Sequence, residues 1–194
     1  MCSIATATIK GGLLLFMRRK DTTSEMMKSY IIESLLLLMR KKAYTDISIS
    51  EITKKAGVNR STYYRHFSNK DDIIFDFFDN LMKEYIKTID KKDAHNIEHY
   101  LCNLFAFFLN YKEELLLIYK NGLSVIFLEV LNIHLGTATI NKPMSEQYKI
   151  TYHIGGIFNH FLMWFSREMR DSPQELSKVA TDLFTNNFTP YLLK

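Results

Sequence analysis

The segment that most restricts what this chain can fold into runs from Ser48 to Lys70, SISEITKKAGVNRSTYYRHFSNK. It opens on a capping box. The Ser48 hydroxyl can accept from the Glu51 N–H, and the Glu51 carboxylate can reach back to the Ser48 N–H. That predicts a short helix from Ile49 to Ala56, with Ile49, Ile52 and Ala56 inward. Gly57 stands just past its end, where left-handed backbone angles close a helix. Asn59 is a good N-cap, so a second short helix is expected over Arg60 to His66. Ser68 or Asn69 caps a third, from Lys70 to about Lys91. Its apolar positions Ile73, Ile74, Phe77, Phe78, Leu81, Tyr85 and Ile89 follow helical spacing. Two short helices joined by a glycine-containing turn make a helix-turn-helix.

The same reading extends along the chain. Met27, Ile31, Leu35 and Leu38 repeat at helical spacing, predicting a helix over Ser24 to Lys42. It closes on Arg40-Lys41-Lys42, which suits the negative end of the helix dipole. Further helices are expected over about Ile97 to Asn110 and Lys112 to His134, the latter interrupted near Asn121-Gly122. Leu135 to Met144 reads as a loop. Two long helices follow, about Ser145 to Arg170 and Pro173 to Tyr191, the second announced by Ser172-Pro173-Gln174-Glu175. With three prolines, seven glycines and 47% hydrophobic residues, the composition favours a helical protein with a sizeable core. No alternating strand competes.

Several function classes drop out. Cys2 and Cys102 form neither a disulfide framework nor a metal-type spacing, which fits a reducing cytoplasm. The apolar run Gly12 to Met17 is too short to span a bilayer, and Arg18-Arg19-Lys20 follows it where a cleavage site would be needed. Residues 1–16 read as a tail, with Met17 as an alternative start. No phosphate loop, dinucleotide fingerprint or G-x-S-x-G occurs. His95, Glu98 and His99 match an H-x-x-E-H zinc pattern, but at a helix junction with no third ligand, so an enzyme built on them ranks a distant third. No cofactor is expected.

Charge is unevenly spread. Residues 18–70 carry 12 Lys/Arg against 5 Asp/Glu, whereas residues 71–194 carry 12 against 16. A basic head on an acidic body points to a polyanion at the head. In a helix-turn-helix the second helix enters the DNA major groove and its first residues reach base edges. Tyr63 and Phe67, four apart, would face inward against Ile52, Ala56 and the preceding helix. Arg60, Ser61, Thr62 and Arg65 are then presented outward, able to bond bases or phosphates. Tyr64 lies on another face with its hydroxyl available to a phosphate. Lys70 adds a cation beside the free N–H groups of its helix. His66 reads as a packed histidine.

Here the chain resembles the TetR family of bacterial transcriptional regulators. The resemblance covers roughly Ile31 to Leu81. It is densest in Ile52-Thr53-x-x-Ala56-Gly57-Val58, Tyr63-Tyr64-x-His66-Phe67 and Ser68-Asn69-Lys70-Asp71. It implies a three-helix DNA-binding domain, a variable helical ligand domain and a homodimer on a palindromic operator. Carried over residue by residue, it makes Tyr64 and Lys70 phosphate contacts, Arg60, Ser61, Thr62 and Arg65 the base-reading face, and Ser48 a hydroxyl that holds a phosphate. Ala43, Thr53 and Asn59 depart mildly from the usual glycine, alanine and serine.

The resulting expectation is an all-α regulator. Residues 1–22 are a flexible arm, 23–70 the helix-turn-helix domain, and 71–194 a helical effector-binding and dimerisation domain. A small apolar effector would release it from DNA. The runner-up is control by a protein partner. The effector pocket is expected among the helices around Phe105–Phe108, Ile118–Val130 and Tyr152–Phe165, and the dimer face on the last two helices. Gly155-Gly156, unusual inside a helix, marks a close helix approach, room for a ligand, or a break.

Overall fold

The structure, a computed structural model, describes residues 23–89, 96–136 and 141–183. Nine α-helices occur among them: α1 (Thr23–Met39), α2 (Ile49–Ala56), α3 (Arg60–His66), α4 (Lys70–Thr88), α5 (Ile97–Leu109), α6 (Lys112–Lys120), α7 (Val125–Gly136), α8 (Met144–Ser166) and α9 (Pro173–Leu183). A 3-10 turn at Tyr44–Asp46 lies between α1 and α2. No strand occurs among the described residues. The expected arm over 1–22, the residues 90–95 and the end of the chain beyond 183 lie outside them. The chain divides into two compact units that part between Phe77 and Phe78, inside α4.

In the N-terminal unit, α1 buries Ile31, Ile32, Leu35, Leu36 and Met39, one stripe of a 3.6-residue period. Ile52, Tyr63, Phe67, Ile73, Ile74 and Phe77 complete this core, and α1 lies against both α2 and α3. Ile49, Ala56 and Val58 are only half-buried. The local start signals account for the helix boundaries. Ser48 N–H donates to Glu51 Oε2 at 3.0 Å, and Glu51 N–H to Ser48 Oγ at 3.3 Å. Gly57 takes φ 68°, a left-handed angle open to glycine at little cost. At α4, Asn69 Oδ1 accepts the Asp72 N–H at 3.1 Å, and Asp72 Oδ2 accepts the N–H groups of Ser68 and Asn69 at 2.6 and 3.1 Å. Asn59 sits at the head of α3 with extended backbone but makes no side-chain cap bond.

The C-terminal unit packs α9 along α5 and α8 along α7. Phe105, Phe108, Phe127, Phe161, Trp164 and Phe165 are all fully buried. Their rings interlock, with Phe108 and Phe161 centroids 5.0 Å apart and Phe105 and Trp164 5.6 Å apart. The break near Asn121-Gly122 is present, with Gly122 at φ 74°. Helix α8 stops at Ser166, four residues before the expected Arg170. Glu168 and Met169 take φ 57° and 48°, which α-helix cannot accommodate. The turn is held by Met169 N–H to Trp164 O at 2.8 Å, Trp164 Nε1 to Asp171 O at 2.9 Å and Lys112 Nζ to Met169 O at 3.2 Å. Ser172 and Glu175 then form a second capping box. Gly155 and Gly156 do not break α8, and a Cβ added at either would find nothing within 4 Å among the described residues.

Candidate nucleic-acid interface

Helix α3 is too short to stand alone, so its orientation comes from its inward side chains. Tyr63 is fully buried and Phe67 nearly so, with ring centroids 6.0 Å apart. Burial pushes the Tyr63 phenol up to about 12, with the carboxylate of Asp72 adding to it. Its hydroxyl and the Nε2 of His66 are buried without a hydrogen-bond partner among the described residues. His66 is therefore packed rather than presented.

With those two rings inward, Arg60, Ser61, Tyr64 and Arg65 are exposed and Thr62 is half-buried. The Tyr64 ring stands edge-on to Tyr63 at 5.2 Å. Arg60 lies 6.0 Å from the Tyr64 ring centroid, and its Nη2 is 3.4 Å from the Tyr64 hydroxyl. Arg65 has no ion pair or hydrogen bond among the described residues. Two guanidinium groups thus lie on the outer face of α3 with no carboxylate among the described residues to neutralise them. Such forks match the paired acceptors of guanine or of a phosphate.

Ser48 and Lys70, the other predicted positions, are already engaged. The Ser48 hydroxyl donates to Glu51 Oε2 at 2.8 Å while it accepts the Glu51 N–H. The half-buried Lys70 donates to the carbonyls of Tyr44 and Ile47, both at 2.7 Å, and its ammonium lies 4.4 Å from the Tyr44 ring centroid. Two of its three N–H groups hold the turn that leads into α2.

Two supporting residues escaped the local reading. Tyr44 donates to Asp71, and burial together with that carboxylate drives its phenol well above the ordinary range. Lys42 reaches Glu51 Oε1 at 2.6 Å and the Asp46 carbonyl at 2.8 Å. Its hydrogen bond, followed by those of Ser48, holds the Glu51 carboxyl down to about 2. The only sequence signal for Tyr44 was an aromatic residue in a turn, 26 positions from the lysine it contacts. Lys28 and Asp76 add an ion pair at 3.1 Å within this unit.

The zinc-like pattern is not assembled by what is described. His95 lies outside the described residues, Glu98 and His99 are in the first turn of α5, and no metal-binding group of three occurs among the described residues. No described helix is long and apolar enough to cross a membrane.

Comparison with known proteins agrees with this geometry. Residues 31–76 match the family model for bacterial regulatory proteins, tetR family. No curated protein matches the chain. Among solved structures, the fold is similar to the fatty acid degradation regulator FadR from Bacillus halodurans, with TM-score 0.55 and 19% identity over 85% of this chain and 96% of that one. It is also similar to the dihydroxyacetone kinase operon activator DhaS, with TM-score 0.51 and 18% identity over 81% and 93%. A TetR transcriptional regulator from Rhodococcus sp. RHA1 gives TM-score 0.50 and 15% identity over 86% and 100%.

Proposed function

We propose that this chain, a DNA-binding transcriptional regulator of the TetR family, acts as a homodimeric repressor that a small apolar effector releases from a palindromic operator. The observation that carries the reading is the outer face of α3. Arg60 and Arg65 stand there without acidic partners among the described residues, on a helix locked by Tyr63 and Phe67. Arg60, Ser61, Thr62 and Arg65 read base edges, while Tyr64 contacts phosphate. Lys70 spends two N–H groups on the turn before α2 and offers the third to a phosphate. Ser48 contributes through the capping box that aims the start of α2. Regulators of this family bind DNA and are not enzymes; this one would act in the cytoplasm, where its operator lies.

The proposed dimer face is on α8 and α9. Met144, Tyr148, Tyr152 and Met163 are 63–78% exposed, and at ~100° per residue they fall on about a third of the circumference of α8. Gly155 and Gly156 interrupt that stripe with open space where side chains would stand. Val179 adds an exposed apolar side chain on α9. A second copy laid across the glycines would cover these groups by a two-fold, self-complementary contact. The effector would then alter the separation of the two DNA-binding units, so that half-sites about 34 Å apart are no longer reached together.

Selection of duplexes by the purified protein tests the DNA reading: a two-fold symmetric site should enrich. Sedimentation tests the dimer, which Tyr152→Glu should convert to monomer; a wild-type monomer at micromolar concentration would contradict it. Transcription in vitro from the selected site gives the sign of regulation.

A further inference from the structure

The interlocked rings of Phe105, Phe108, Phe127, Phe161 and Trp164 fill the middle of the C-terminal unit, where large side chains had suggested a pocket. Among the described residues, open volumes lie at the surface beside α5 and α7, two of the helices expected to border it. A depression of about 660 Å³ on the outside of α7 is lined by that helix alone. A groove of about 300 Å³ runs between the end of α4 and α5, lined among others by Tyr85, Ile89, Asn103, Ala106, Phe107 and Asn110.

We propose that this α4–α5 groove binds a small, uncharged, flat molecule carrying a hydrogen-bonding group at each end. The assignment rests on the reading of the chain as an effector-responsive regulator, and it gives the effector a place and narrows its chemistry from simply apolar to a flat apolar body with uncharged polar ends. Asn103, Ala106 and Phe107 of α5, with Asn110 capping its end, recur at helical spacing on one face. The small Ala106 leaves the hollow, and the Phe107 ring, 5.5 Å from that of Tyr85, supplies a flat apolar wall. Asn103 and Asn110 stand at the two ends, about 10.5 Å apart along the helix at ~1.5 Å per residue. The Asn103 amide has no side-chain partner among the described residues. The Asn110 amide N–H groups go to the carbonyls of Ala106 and Phe107, both at 3.1 Å, leaving its oxygen to accept. An amide offers both donor and acceptor. Among the described residues no charged side chain lines the groove, and against that lining an ionised ligand would lose hydration without a counter-charge. The volume sits at the small end of the range for ligand sites.

The probe is para-hydroxybenzamide, with para-hydroxybenzoate as its charged counterpart, titrated into the full chain and followed by amide NMR shifts. The amide is expected to saturate at millimolar concentration, with shifts centred on residues 85–89 and 103–110, and the benzoate to bind at least tenfold more weakly. Ala106→Leu, which fills the hollow from a half-exposed position, should weaken the amide at least tenfold. Asn103→Leu, which keeps the volume and removes the polar end, should weaken it severalfold. Unchanged affinity in both variants, or shifts centred on Phe161–Phe165, would overturn the groove assignment. Binding to the selected operator is measured on the same samples. A wild-type chain that selects no operator overturns the regulator reading itself, whereas intact operator binding with an unaffected probe overturns the groove alone.

Discussion

Removing the Lys70 ammonium should destabilise the N-terminal unit even when no DNA is present. The group donates to two carbonyls at 2.7 Å and lies 4.4 Å from the Tyr44 ring centroid. A hydrogen bond involving a charged group contributes about 1.5–3 kcal/mol, and a partly exposed cation over an aromatic ring about 0.5–1 kcal/mol. Lys70 is half-buried and the freed carbonyls of a surface turn can be rehydrated, so the two hydrogen bonds together count for about as much as one at the low end, about 1.5 kcal/mol, and with the ring contact the net loss is about 2 kcal/mol. Lys70→Met isolates the effect because it keeps the apolar stem. Hydrogen exchange of the α2 amides reads this unit directly, whereas Trp164 fluorescence reports the other one. A 2 kcal/mol loss corresponds to about a 30-fold fall in protection where exchange follows opening of the unit. A lysine that served phosphate alone would leave protection in Lys70→Met within about 0.5 kcal/mol of wild type, the ordinary range for a surface substitution. That result would refute the anchoring argument. The remaining ammonium hydrogen should still show itself in DNA binding, as a salt slope reduced by about one unit.

Gly57→Ala should cost about 1 kcal/mol, measured as α2 protection. The added methyl meets nothing within 4 Å, so the whole effect is the left-handed backbone at φ 68°, and Gly57→Asn should cost less. Glu51 is held down to about 2 by Lys42 and Ser48, below its unfolded value of about 4.3. Its contribution is therefore present above about pH 4.3 and is lost as pH falls towards 2. Glu51→Gln should flatten that part of the pH–stability curve, and an unchanged curve would remove the assigned role.

Features set by neighbours in sequence were readable in advance. The boundaries of α2 follow from Ser48 and Gly57, because a capping box and a left-handed C′ residue act within three or four positions, whereas α3 starts after Asn59 without the side-chain cap expected of it. The inward placement of Tyr63 and Phe67 follows from helical period. What depends on distant partners was not readable. The engagement of Lys70 with Tyr44 spans 26 residues, so the lysine looked free for phosphate. The early end of α8 comes from Trp164, Lys112 and Asp171 holding a turn whose own residues, Arg167 to Arg170, are acceptable in a helix. Periodicity also says which rings face inward, but not whether they leave space between them. Phe105 and Phe108 close on Phe161, and the hollow opens instead beside Ala106 and Asn103.

The most direct test of the central claim is affinity for the selected operator and for a scrambled duplex, measured by fluorescence anisotropy at several salt concentrations. Wild type is compared with Arg60→Ala and Arg65→Ala, each confirmed as folded. If the outer face of α3 reads bases, each substitution should cost about 1–3 kcal/mol on the operator and much less on the scrambled duplex, with sequence preference relaxed. If both variants bind the operator as tightly and as selectively as wild type, α3 is not the reading helix and the proposed mechanism of operator recognition is wrong.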